Sequence, residues 1–170
     1  ASVRAVLITG AGRAFCAGQD LGSVSLDDPA GLPDLGNVVR ELWNPIVRQL
    51  RQLEKPVIAA VNGVAAGAGA NVALACDITI AAENAVFGEP ELKFGAGIVT
   101  MILPWMTGPK QAKEIILNGI DNLDAREALR LGLVNRVVSN GAHLDTAMRM
   151  ARHMAAIDPE LMRESKKAIN

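Results

Sequence analysis

The sequence predicts an α/β domain built on a mostly parallel sheet, and three observations predict it. Short apolar runs ending in glycine or polar turns alternate with stretches whose hydrophobic residues recur at helical spacing. Half of the 170 residues are hydrophobic, enough for a sizeable core in one domain of ordinary size. The longest apolar runs are broken by Gly, Asn or Asp, well short of the ~18 residues of a membrane span.

Val3, Ala5, Val6, Leu7 and Ile8 read as a buried strand ending at Thr9-Gly10. A glycine-rich loop follows over 10–22, and residues 23–34, with Pro29, Gly31 and Pro33, extend it. Leu35, Val39, Leu42, Ile46, Leu50 and Leu53 then recur at helical spacing, with Asp34 as cap and Pro45 as a kink. Trp43 falls in this amphipathic stretch and reads as core. Pro56 opens a second strand over 57–61. Asn62-Gly63 turns the chain into a small-residue segment over 64–75, helical from about Ala68. Residues 78–81 form a third strand and Val86-Phe87 a short fourth. An amphipathic helix spans 110–117; Asp124 caps a helix over 125–131, which Gly132 stops. A short strand at 134–138 precedes helices over 142–157 and 160–169, separated by Asp158-Pro159. We place the α/β core in residues 1–140 and the start of a C-terminal helical region in 141–170.

A formal net charge of −1, from 17 basic and 18 acidic residues, argues against a nucleic-acid surface. The mean hydropathy of +0.23 is high for a small monomer and suggests apolar surface covered by other subunits. Cys16 and Cys76 read as free thiols of a reducing compartment. With no basic, hydrophobic leader at the start, a cytoplasmic protein is expected. His143 and His153 read as helix-surface residues, and no metal site is expected.

Val6-Leu7-Ile8-Thr9-Gly10-Ala11-Gly12-Arg13 imitates a dinucleotide-binding turn, yet the third glycine of that pattern falls on Phe15. Short-chain dehydrogenases that begin this way use a tyrosine, and this chain has none.

Three glycine-bearing segments stand out instead. Ala14-Phe15-Cys16-Ala17-Gly18-Gln19-Asp20-Leu21 follows the first strand. Pro56-Val57-Ile58-Ala59-Ala60-Val61-Asn62-Gly63-Val64-Ala65-Ala66-Gly67-Ala68-Gly69-Ala70 leads to Cys76-Asp77. Phe87-Gly88-Glu89-Pro90-Glu91-Leu92 closes the set. In this order and spacing they resemble the crotonase superfamily, the enoyl-CoA hydratase/isomerase family, from about Val3 to the C-terminus. The resemblance implies a crotonase-like ββα spiral core, here shorter at both ends than the family. It also implies an acyl-coenzyme A thioester as substrate, with coenzyme A part of the substrate and no separate cofactor, and a homotrimer or dimer of trimers.

The chemistry explains the residue types. Removing a thioester α-proton puts negative charge on the carbonyl oxygen, so donors must wait where that charge develops. Backbone N–H groups at small-residue turns let the oxygen approach to ~3 Å, and a helix N-terminus adds partial positive charge. By the resemblance, the two donors are the amides of Gln19 and Ala68, beside Gly67. Ala17, Asp20 and Leu21 line the coenzyme A side, and Glu91 is the acid/base, with Glu89 a lesser candidate. Strand alternation would point Glu89 to the same face as Glu91.

Two departures bear on the reaction. Hydratases of the family carry a glutamate where this chain has Asn71, and an amide is no carboxylate base. A Pro-Gly turn common in the family is replaced by Gly95-Ala96-Gly97-Ile98-Val99. One carboxylate suffices to move a proton from C2 to C4, so double-bond isomerisation is expected first. A hydratase tolerating Asn71, another enolate reaction, and a non-catalytic acyl-CoA-binding homologue remain as alternatives. The pocket floor is expected over 98–105.

Overall fold

The structure, a computed structural model, describes residues 3–20, 34–95 and 102–170. Among these the chain forms two four-stranded sheets rather than one. Strands β1 (Val6–Thr9), β3 (Val57–Val61), β5 (Ile78–Ala82) and β8 (Arg136–Val138) make an all-parallel sheet in the order β1-β3-β5-β8. Strands β2 (Ala14–Cys16), β4 (Val64–Ala66) and β6 (Val86–Gly88) run parallel in the second, with β7 (Leu123–Asp124) antiparallel at its edge. Each of the first two turns of the chain lays one strand in the first sheet, one in the second, and then crosses back through a helix; the third lays down β5 and β6 and returns to the first sheet at β8 by way of β7 and a further helix. This is the expected ββα spiral.

The first crossover is α1 (Leu35–Val38), a π-helical turn Val39–Trp43, and α2 (Asn44–Gln52). The Asp34 carboxylate caps it by accepting from the Asn37 N–H at 3.2 Å. Pro45 produces the widened turn, not only a kink. It has no N–H to give its helix, and just before it the Asn44 N–H reaches back five residues to the Val39 carbonyl. The second crossover is α3 (Ala68–Ala75). The third contains a 3₁₀ turn (Glu91–Phe94), α4 (Ile102–Thr107) and α5 (Pro109–Leu117). Helix α6 (Ala125–Arg130), capped by Asp124 Oδ1 on the Glu127 N–H at 2.8 Å, leads to β8. Helices α7 (His143–Ala155) and α8 (Pro159–Ile169) close the chain.

Strand β3 is central, and all five of its residues are 0% exposed. Its alternation sorts the core. Val57, Ala59 and Val61 face the larger cluster with α3, Phe87 and Leu103, while Ile58 and Ala60 face α7 through Ala147 and Ala151. Such an uninterrupted apolar run is what a parallel strand covered on both faces requires.

Strands β2 and β4 lie where the sequence predicts a loop and the approach to a helix. Each has three residues, too few for a period to show, and each exists because the second sheet pairs it. Asn62 fixes the turn between the sheets. Its Nδ2 donates to the Gly12 and Ala14 carbonyls at 2.9 and 3.1 Å, and its Oδ1 accepts from the Gly10 N–H at 3.1 Å.

Both cysteines are free, and burial pushes the Cys76 thiol up to about 12. His153 is exposed in α7, as expected of a helix-surface residue, but the Nδ1 of His143 is buried without a hydrogen-bond partner. Among the described residues no helix is long and apolar enough to cross a membrane.

One buried ion pair ties the C-terminal helix to the core. Lys166 Nζ of α8 donates to Asp77 Oδ2 at 2.7 Å and to the carbonyls of Leu50 and Lys55, each at 3.1 Å. Asp77 Oδ2 also accepts from the Val57 N–H at 2.8 Å, so the cluster joins α2, β3, β5 and α8. Lys166→Met would leave the carboxylate unpaired, which costs about 3–5 kcal/mol. The urea midpoint should fall accordingly with an unchanged slope; a loss under 1 kcal/mol would show that the pair is solvent-screened.

Candidate functional site

The three glycine-bearing segments meet at the turn from β4 into α3. Gly67 occupies that turn with φ 54° and ψ −127°, a conformation that L side chains resist. Its N–H donates to the Gly88 carbonyl at 2.9 Å, extending the β4–β6 ladder by one bond. Its carbonyl accepts from the Asn71 N–H at 3.1 Å and from Asn71 Nδ2 at 3.0 Å. A Cβ at Gly67 would fall 2.6 Å from Glu91 Oε1, so the carboxyl group lies directly over the Gly67 Cα.

Gly18 brings the first segment to the same place. Its φ is +86°, and a Cβ there would meet the Ala66 carbonyl oxygen at 2.8 Å and the Ala68 nitrogen at 3.2 Å. The Gly18-Gln19 main chain therefore lies against the start of α3. Ala68 is the first residue of α3, so its N–H has no acceptor within the helix and sits at the positive end of the dipole. Gln19 is anchored from a third direction: its Oε1 accepts from Trp43 Nε1 at 3.2 Å. Sequence reasoning assigned Trp43 to the core. Its indole sits on an amphipathic helix, and nothing local signals a partner 24 positions away.

Glu91 opens the 3₁₀ turn that follows β6 and is half-buried. Burial raises its pKa above the ordinary glutamate value; hydrogen bonds from its own backbone and from the Glu89 side chain oppose this. Glu89 is 4% exposed, its N–H donates to the Ile120 carbonyl at 2.7 Å, and Asn71 Nδ2 lies 3.4 Å from its Oε1. Glu89 and Glu91 do approach each other, but through the bend at Pro90 (φ −82°, ψ 2°) rather than by strand alternation.

Of the remaining predicted site residues, Ala17 and Asp20 are exposed on the loop beyond β2, and Ala68 and Asn71 are half-buried beside Gly67. Leu21 lies outside the described residues, as do 98–101 of the expected pocket floor. Within the described part of that floor, Leu103 is buried in the main core and Trp105 is 88% exposed. Among the described residues no group of three or more His, Cys, Asp and Glu side chains could hold a metal ion. What the site offers is one accessible carboxyl group beside a helix-initiating amide.

Spiral and site together define a protein of the crotonase superfamily. The chain belongs to the enoyl-CoA hydratase/isomerase family, which it matches over residues 1–170. It is 44% identical over 174 aligned residues to the 1,2-epoxyphenylacetyl-CoA isomerase of Escherichia coli K12, covering 99% of this chain and 65% of that protein. To the short-chain-enoyl-CoA hydratase of Clostridium acetobutylicum it is 41% identical, covering 99% and 64%. The solved structure of an enoyl-CoA hydratase/isomerase from Xanthobacter autotrophicus Py2 superposes with a TM-score of 0.88 at 46% identity, covering 98% of this chain and 61% of that one. The chain thus spans slightly less than two thirds of these relatives.

Gly67→Ala should forfeit about 1–2 kcal/mol through the left-handed backbone alone. Its new methyl group should also push Glu91 aside. Heat denaturation would read the first effect, and a structure of the variant the second; an unmoved Glu91 would mean that the contact is slack.

Proposed function

We propose that the protein is an enzyme of acyl-CoA metabolism that isomerises the double bond of an enoyl-CoA thioester, with Glu91 as the acid/base. The single observation that carries this reading is the placement of the Glu91 carboxyl group over Gly67, next to the amide that starts α3. In this reading the amides of Gln19 and Ala68 receive the thioester oxygen. Glu91 removes a proton from C2 and returns it to C4 of the same enolate. Ala17, Asp20 and Leu21 lie along coenzyme A, which enters as part of the substrate. A homotrimer or dimer of trimers is proposed with it; Leu117 at 69% and Ile169 at 86% exposure are apolar groups that other subunits would cover.

Two features favour isomerisation over hydration. Asn71 uses its amide on the Gly67 carbonyl and toward Glu89, and an amide takes up no proton from water. The other nearby carboxyl, Glu89, is 4% exposed. The relatives' names include both activities, so 3-enoyl-CoA and crotonyl-CoA assayed side by side distinguish the two.

Glu91→Gln should slow exchange of the C2 proton by about 10²–10⁴-fold, the value of a positioned base. Coenzyme A affinity should stay close to that of the wild type. Activity within tenfold of wild type would remove Glu91 from this role. Because the base must be ionised and its pKa is raised, the rate should climb with pH through a limb above the ordinary glutamate value. The stability term has the opposite sign: a raised carboxyl pKa favours the folded state below the unfolded value, and this advantage is lost as pH rises through the folded value.

A further inference from the structure

We propose that Asn71 is the positioning residue for the thioester oxygen: by bonding the Gly67 carbonyl, its side chain aims the Ala68 N–H at that oxygen. The inference rests on the proposed role of the Ala68 amide and gives Asn71 a task other than contact with substrate.

The argument begins with the peptide bond. The Gly67 carbonyl and the Ala68 N–H belong to one planar trans unit and point in opposite directions. Whatever fixes the carbonyl therefore fixes the N–H. Residue 71 holds this carbonyl twice, through its main-chain N–H at 3.1 Å and its side-chain Nδ2 at 3.0 Å. Both bonds run down α3, so the Ala68 N–H points out of the N-terminal end of that helix. The first loop waits there, since a Cβ on Gly18 would come within 3.2 Å of the Ala68 nitrogen.

Gly67 is the reason a second donor matters. Glycine permits more peptide orientations than any other residue, and its φ of 54° and ψ of −127° lie outside the helix that it begins. Helix ends also fray, so the main-chain bond of the first turn holds the unit loosely by itself. The Asn71 side chain closes that freedom. A carbonyl that accepts two bonds also polarises its peptide unit, which strengthens the N–H on the other side as a donor.

The sequence of α3 agrees. Asn71 is the one polar side chain between Ala68 and Ala75, at a place where alanine is the better helix former. The Gly67 carbonyl only accepts, so the nitrogen of the Asn71 amide faces it rather than the oxygen. The same Nδ2 lies 3.4 Å from Glu89 Oε1, a contact that the choice of variants must separate from the first.

Asn71→Ala and Asn71→Ser, compared with wild type, test this in two ways. One is steady-state isomerisation of a 3-enoyl-CoA. The other is the infrared carbonyl band of bound butyryl-CoA labelled with carbon-13 at C1. Asn71→Ala deletes the donor and favours the helix, so α3 is retained. Its kcat should fall about tenfold, the contribution of one hydrogen bond. KM should stay put, because the bond acts on charge that develops in the transition state. Asn71→Ser still offers a hydroxyl to the carbonyl four residues back but is too short for Glu89, and should recover most of the loss. The band, displaced downward in wild type, should move toward its free position in Asn71→Ala and return in Asn71→Ser. Wild-type kcat and band in Asn71→Ala would overturn the proposal. So would a loss that Asn71→Ser fails to repair, which would assign the effect to the Glu89 contact. A band that stays at its free position in wild type would remove the Ala68 amide from the thioester oxygen, and the proposal with it. If the bands behave as expected but wild type isomerises nothing, the isomerase reading fails and the role of Asn71 stands.

Discussion

The structure depends on what one glycine permits. At Gly67 the chain leaves the second sheet and starts a helix with no intervening loop, and only a left-handed residue makes that corner without strain. Its N–H still belongs to the sheet, bonded to Gly88, while its carbonyl already belongs to the helix, bonded to Asn71. The missing side chain leaves the space that the Glu91 carboxyl group fills. A single residue thus joins β4, β6, α3 and the 3₁₀ turn, and because α3 begins at Ala68, the N–H of that residue has no acceptor within the helix.

The two-sheet spiral supplies the other contacts. Because β2, β4 and β6 run parallel, with one register shift between Ala14 and Cys16, their C-terminal ends lie at one edge, and each of the three glycine-bearing segments leaves from there. Asn62 maintains this alignment from below by bonding the β1–β2 turn to the β3–β4 turn. The buried Lys166–Asp77 pair does the same for the first sheet, holding the ends of α2 and α8 against the starts of β3 and β5. Ion pairs of this kind add little net stability over an apolar alternative, but they allow one docking geometry.

Elements with strong local patterns were legible in the sequence. The apolar run at β3, the Asp124 cap, the Asp158-Pro159 break and the Gly132 stop all act within a few residues, and the structure places them where the pattern does. Strands β2 and β4 were not legible, since Ala-Phe-Cys and Val-Ala-Ala favour no state until a neighbouring strand pairs with them. The candidate site divides along the same line. Gly67, Glu91 and Asn71 were singled out by the resemblance of their motifs to the family, and the structure brings the three together at the turn from β4 into α3. The Trp43–Gln19 bond and the burial of Glu89 depend on parts of the chain distant in sequence or on a bend at Pro90, and no window around those residues encodes them.

Asn71 is better understood together with its neighbour Glu89 than as a departure on its own. A glutamate at 71 would bring a third carboxyl group to the place where Nδ2 now lies 3.4 Å from Glu89 Oε1 and 3.0 Å from the Gly67 carbonyl. Both of those neighbours accept hydrogen bonds, and an ionised glutamate has none to give. An amide at 71 satisfies both at no cost in charge, and its own oxygen stays available. An asparagine at 71 therefore brings a donor, rather than another negative charge, to the buried Glu89 side chain. Gly67 and Asn71 thus serve two carboxyl groups at once: Asn71 Nδ2 lies against the buried Glu89, and the missing side chain of Gly67 leaves room for the half-buried Glu91.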